Sequence, residues 1–328
     1  MPAVPYSRYI FGIIPWYSFL IIIGIISAFL LAYIEEKKGF LEKDTVIDFT
    51  LVVIPCGIIG ARVYYVVFSW DSFKDDLLSV FRIWEGGIAI YGGIIAGLLC
   101  AYIFCRKRKV SFLSLCDIFA PGLILAQSVG RWGNYFNQEA YGLPVKDSAL
   151  CFFPFAIQVS TTAGLQWHMA TFFYESVWNI IVFFFLLVAR RKLFRYHGDT
   201  FFFYAFLYAC GRFIIEEFRM DSLYASSTIR VSQLLSILII MILLIRYYFF
   251  FCSKKKGVSY INRILLVLCI LSDIFIILRS TKVLQFYEAG VLGAFLILLS
   301  CSLLNILTLF LLYYECAEGE VIYADNKG

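Results

Sequence analysis

Nine apolar stretches, each close to the length of a membrane-crossing helix, constrain this chain more than any other feature. They run over residues 17–33, 46–67, 88–104, 113–129, 171–188, 200–215, 231–251, 264–278 and 289–314. A bilayer core about 30 Å thick needs roughly 20 apolar residues of helix. Polar residues intrude at the ends of the fourth and sixth stretches. The composition agrees with burial in lipid: 62% of residues are hydrophobic and only 16% charged, against about half and a quarter in soluble chains. The 34 Phe and 22 Tyr suit lipid-facing surface and interfacial belts. The expected fold is therefore an all-α polytopic membrane protein of about nine transmembrane helices.

The net charge of +5 arises in short clusters between the apolar stretches. That distribution argues against a nucleic-acid footprint. EEKKGFLEK follows the first stretch, RKRK the third, RRKLFRYH the fifth and SKKKG the seventh. The alternate connections are poor in Lys and Arg, apart from residues assigned below to a site. Basic connections face the cytoplasm, which puts the N-terminus outside and the C-terminus inside. The first stretch lacks the flanks of a cleaved signal peptide and reads as a retained span. The two spans after SKKKG look like an appended unit, residues 253–328, following a membrane domain of residues 1–252. The acidic tail ECAEGEVIYADNKG reads as solvated and cytoplasmic. Ten cysteines show no CxxC pair, and there are two histidines, His168 and His197. No metal or cofactor is expected.

Chemistry concentrates at two helix ends. The fourth span exits into GRWGNYFNQEAYG, residues 130–142. Gln127, Arg131, Asn134 and Gln138 share one stripe if the helix continues, at about 100° per residue. Gly130 and Gly133 would admit a neighbouring helix or a ligand. The sixth span ends YACGRFIIEEFRMDS, where Tyr208, Arg212, Glu216 and Arg219 share a face. An arginine at membrane depth costs about 2.5–3.5 kcal/mol on insertion scales. Glu216 at i+4 can pair with Arg212, leaving Arg219 as a spare cation for an external anion such as a phosphate. Tyr91 sits among paired glycines in GGIAIYGG, and Tyr17 opens the first span; both also suit an aromatic belt. Glu175 and Asn179, at i and i+4 in the fifth span, read as a structural polar pair between helices. His168 reads as a solvated loop residue. Arginines without a metal motif, beside lipid, suggest an anionic lipid headgroup as ligand.

Four segments, GGIAIYGG, GRWGNYFNQEAYG, TFFYESVWN and GRFIIEEFR, closely resemble the prolipoprotein diacylglyceryl transferase family. The resemblance runs from about Tyr17 to about Arg246. It implies transfer of the diacylglyceryl group of phosphatidylglycerol to the lipobox cysteine thiol of an exported precursor, with glycerol phosphate leaving. By motif, it also implies that Arg131, Asn134, Glu139 and Gly142 match the signature segment, and Arg212 its second essential arginine. Tyr208, Glu216 and Arg219 match the neighbours of Arg212, and Tyr17 the tyrosine of the first span. Two departures stand out: Tyr91 where the family often has His, and HMAT at residues 168–171 where HPT is common. A phenol with pKa near 10 makes a poor base near neutral pH. The expected catalytic set is Arg131, Arg212, Glu139, Tyr91 and Tyr208, and the substrate-binding set Asn134, Gly142, Glu216, Arg219 and Tyr17. The expected partners are phosphatidylglycerol, the signal-peptide and lipobox segment, and the bilayer, in a bacterial cytoplasmic membrane with the site facing outward. A transporter for an anionic solute would also use intramembrane arginines, but usually with repeated halves and broken helices, neither of which is evident. An inactive lipid-binding scaffold is a further alternative.

Overall fold

The computed structural model describes residues 7–161, 164–224, 230–254, 260–280 and 291–317. Outside them lie the tail after residue 317, the lysines at 255–256 of SKKKG, and the start of the ninth apolar stretch at 289–290.

Lipid offers the backbone no hydrogen-bond partner, so each apolar stretch must satisfy its N–H and C=O groups within itself. Among the described residues this yields nine α-helices: α1 (Trp16–Glu36), α2 (Thr45–Phe68), α3 (Ile90–Arg108), α4 (Phe112–Asn137), α5 (Thr171–Lys192), α6 (Asp199–Glu216), α7 (Val231–Lys254), α8 (Tyr260–Ser280) and α9 (Val291–Ala317). Eight are long and apolar enough to cross a membrane. The other, α6, has 18 residues and carries Asp199, Arg212 and Glu216. Two small antiparallel hairpins accompany them, β1 (Tyr9–Ile10) with β2 (Ile14–Pro15), and β3 (Ala156–Thr161) with β4 (Gly164–Met169). The chain is an all-α polytopic membrane protein.

It divides into two compact units. One comprises Ile25–Leu123 and Leu187–Phe201. Here α2 and α3 pack at backbone contact: a Cβ on Gly92 would lie 2.4 Å from the Gly60 carbonyl oxygen and 2.3 Å from Tyr64 Cβ. Buried Arg62 on α2 ties down the loop before α3. It donates to the carbonyls of Ser79, Val80, Gly86 and Gly87 at 2.6–2.8 Å. Carboxylates close the other turns. Glu36 accepts from the Asp44 and Val46 amides, which starts α2. Asp117 accepts from the Gly198 and Phe201 amides, which starts α6.

The second unit comprises Met1–Gly24, Ile124–Leu186 and Phe202–Gly328. Ile157 and Val159 of β3 pack with Tyr135, Ala170 and Phe172, where α4 ends and α5 begins. The α8–α9 pair lies along α6 and α7. Phe213 is buried with Ile237, Ile276, Leu298 and Cys301, and Phe203 stacks edge-on with Phe310 and Tyr313. Asn305 donates to Asp273 across the pair at 3.1 Å, both side chains being buried.

Candidate active site

The candidate site lies in the second unit, where α4, α5 and α6 each present polar side chains from an otherwise apolar helix. The fourth apolar stretch loses hydropathy near residue 129, yet α4 continues to Asn137. Arg131 and Asn134 therefore stand on the helix, as their spacing predicts. Gln138 does not: its φ is +53°, so the chain leaves the helix there. Its amide donates to the Gln158 carbonyl and accepts from the Ser160 amide on β3 instead.

The residue that organises the site is Glu175 on α5, whose side chain is 3% exposed. Its Oε1 accepts from Arg131 Nη2 at 2.6 Å and its Oε2 from Arg212 Nη1 at 3.1 Å. The Tyr208 hydroxyl donates to Oε1 at 3.3 Å and accepts from Arg131. Glu175 does not pair with Asn179, whose buried side-chain amide has no hydrogen-bond partner among the described residues: one carboxylate instead joins the two arginines singled out on separate helices. In the sequence Glu175 stands out as an acid within an apolar helix and as part of the TFFYESVWN segment, neither of which names its partners. A buried charge of this kind persists only where it is paired and hydrogen-bonded.

Glu216 pairs with Arg212 through its side chain, as the i,i+4 spacing predicts, and its side chain is 1% exposed. Arg212 also donates to Ser232 Oγ on α7 at 3.4 Å. Glu139, beyond the end of α4, accepts from the side-chain amides of Asn134 and Asn137 at 3.1 and 3.2 Å. Tyr17 lies against Gly133, where a Cβ would come within 2.6 Å of its ring. Gly130 has nothing within 4 Å of its Cβ direction, so close approach is realised at one glycine of the two.

Arg219 is not a spare cation. Helix α6 ends at Glu216, and the following turn folds Asp221 onto the guanidinium in a bidentate pair. Nε donates to Oδ1 at 3.0 Å and Nη2 to Oδ2 at 2.8 Å. Burial would raise the Asp221 carboxyl, but these bonds and the Arg219 charge hold it below the ordinary carboxylate value, with a smaller contribution from Arg212. Gly142 serves packing. A Cβ there would lie 2.8 Å from Met169 Cβ and Thr171 Cγ2, and 3.0 Å from the Phe218 carbonyl oxygen. Through it, residues 141–143 bridge β4 on one side and residues 218–220 on the other. His168 is buried on β4, with Nδ1 2.8 Å from the Gly142 carbonyl, rather than solvated in a loop. Tyr91 is the second residue of α3 and belongs to the other unit.

The prolipoprotein diacylglyceryl transferase family model matches residues 8–249. The chain belongs to that family. A phosphatidylglycerol–prolipoprotein diacylglyceryl transferase of Halalkalibacterium halodurans is 44% identical over 227 residues, 68% of this chain and 78% of the relative. One of Streptococcus equi subsp. equi is 42% identical over 246 residues, 75% and 93% of the two chains. One of Oceanobacillus iheyensis is 44% identical over 247 residues, 72% and 85%. Family membership makes the chain a transferase of lipoprotein biosynthesis and sets the transporter reading aside. The match stops before α8 and α9.

Proposed function

We propose that this chain transfers the diacylglyceryl group of phosphatidylglycerol to the lipobox cysteine of a prolipoprotein. The observation that carries the reading is the convergence of Arg131 and Arg212, from α4 and α6, on Glu175. Two guanidinium groups held side by side suit a lipid phosphodiester. The substrate thiolate attacks the glyceryl carbon that bears the phosphate ester. A C–S bond forms, the C–O bond breaks, and glycerol phosphate departs with the electron pair. Arg131 and Arg212 stabilise the charge growing on the leaving phosphate. Deprotonating a thiol of pKa near 8.5 at pH 7 needs only about 2 kcal/mol. Glu139, whose described partners are amides rather than guanidiniums, is suited to accept that proton.

Glu175 and Glu216 orient the arginines. Tyr208 links Glu175 to Arg131, and Tyr17 and Asn134 complete the headgroup side with Arg219. Gly142 holds the backbone that positions Arg219. The alternation of basic connections supports a plasma-membrane protein whose site opens on the external face, with its N-terminus outside and its C-terminus inside. Both substrates are membrane-embedded, so they enter between helices. Residues 253–328 form an accessory two-span unit on this transferase domain.

The test is direct. Purified protein is incubated with phosphatidylglycerol vesicles and a lipobox peptide, and the peptide is weighed. A diacylglyceryl mass on its cysteine, lost in Arg131→Ala, is expected. A wild-type chain that adds no mass refutes the reading.

A further inference from the structure

Each arginine of this site already has a carboxylate partner. Arg131, Arg212 and Arg219 stand among Glu139, Glu175, Glu216 and Asp221, so these groups carry one more negative than positive charge. A phosphodiester brings a further negative charge. For it to reach a guanidinium at low electrostatic cost, a carboxylate must withdraw. Glu175 and Glu216 cannot, because their side chains are 3% and 1% exposed and a carboxylate stranded in an apolar bundle is costly. Glu139 is exposed, but its described partners are amides. Asp221 is different: its side chain is 47% exposed while that of its partner Arg219 is 12% exposed. It lies past the end of α6, free to turn toward water.

The geometry of the Arg219 pair is also that of a phosphate site. Nε and Nη2 each meet one carboxylate oxygen, the arrangement in which arginine grips two oxygens of a phosphate. The Arg219 backbone is fixed meanwhile. The Leu143 amide donates to the Phe218 carbonyl at 2.9 Å, and the Met220 amide to the Tyr141 carbonyl at 3.2 Å. An exchange of anions therefore needs only side-chain movement.

We propose that Asp221 is a resident counter-anion, seated on Arg219 in the lipid-free protein and displaced from it by the phosphate of the incoming headgroup. Asp221 is then a specificity-determining residue. It keeps Arg219 neutralised until an anion offering two oxygens arrives, and it disfavours headgroups that lack one. The inference rests on the transferase reading above.

Asp221→Asn and the shorter Asp221→Ser are compared with wild type in the full-length protein, varying phosphatidylglycerol at saturating lipobox peptide. Binding of glycerol 1-phosphate is measured separately by thermal shift, which needs no turnover. Removing a partly exposed competitor should lower KM for phosphatidylglycerol about twofold to fivefold. Glycerol 1-phosphate should bind tighter by a similar factor, with kcat not raised. An unchanged or raised KM, or weaker glycerol 1-phosphate binding, overturns the proposal and makes Asp221 a residue that merely orients Arg219. A wild-type protein without transfer activity would instead refute the transferase reading, while the thermal-shift comparison would still judge Asp221.

Discussion

Replacing Glu175 by Gln removes one charge and leaves the side-chain volume almost unchanged. The carboxylate now takes both arginines, Arg131 at 2.6 Å and Arg212 at 3.1 Å. A glutamine has one oxygen to accept from one guanidinium, and its NH2 group would face the other, donor against donor. The two arginines are not equally exposed to the loss. Arg212 keeps Glu216, whereas Glu175 is the carboxylate partner of Arg131 among the described residues. Arg131 therefore loses its fixed orientation. A hydrogen bond to a charged group is worth about 1.5–3 kcal/mol. Breaking a buried ion pair costs about 3–5 kcal/mol, yet polar contacts between helices in membranes average only about 0.6 kcal/mol. The side chain of Arg131 is 21% exposed, so water can recover part of the loss, and about 2–3 kcal/mol is the expected net. That corresponds to a fall of about 30- to 150-fold in kcat/KM. The assay is the initial rate of thioether product at phosphatidylglycerol concentrations below KM. Glu175→Asp keeps the charge and should recover part of the rate. A Glu175→Gln enzyme within about threefold of wild type would refute the claim that this carboxylate organises the site.

Arg131→Lys retains the charge but not the planar fork, and should lose about tenfold or more in kcat/KM, read in the same assay. Gly142→Ala would press a methyl group against Met169, Thr171 and the Phe218 carbonyl, costing about 1–3 kcal/mol and lowering the thermal midpoint measured in detergent. The Asp221 carboxyl is held low in the folded chain, so the stabilisation from its pair with Arg219 is complete above the unfolded carboxylate value. It is lost as pH falls through the lower folded one. The difference in thermal midpoint between wild type and Asp221→Asn should therefore vanish in that acid window. Removing residues 253–328 should leave turnover within about threefold, because the faces uncovered on α6 and α7 are apolar and lipid can replace them.

The helices were legible in the sequence because lipid forces every apolar stretch to close its own hydrogen bonds. Their ends were not. Residues 130–137 look like a loop by hydropathy but are helical, since the polar stripe of α4 faces other side chains of the site instead of lipid. Gln138 breaks the stripe through a backbone angle that spacing cannot reveal. Arg131, Arg212 and the Glu216 pair were readable because their partners or motif neighbours lie close in sequence. The role of Glu175 is hidden in the sequence because its partner Arg212 is 37 residues away, and only the packing of α4, α5 and α6 brings them together. Arg219 seemed unpaired because i,i+2 residues do not meet on a helix. The helix has ended by then, and a turn lets Asp221 fold back. His168 looks like a loop residue in the sequence because it lies between two spans, whereas the β3–β4 hairpin buries it.

The accounting of charge explains why a lipid-embedded bundle can hold three arginines and still use them. To fold among apolar helices, each guanidinium needs a counter-charge at hand. To grip a phosphate, at least one must be released. A set of equally buried carboxylates would satisfy the first demand and defeat the second. Here the carboxylates paired with arginine are graded instead: Glu175 and Glu216 are enclosed, and Asp221 is half in water. The enclosed pair sets where Arg131 and Arg212 point, and the exposed one decides when Arg219 is available. This division predicts that mutations at the enclosed acids act mainly on kcat and stability, and mutations at Asp221 mainly on KM. A Glu216→Gln variant that changed KM alone would contradict it.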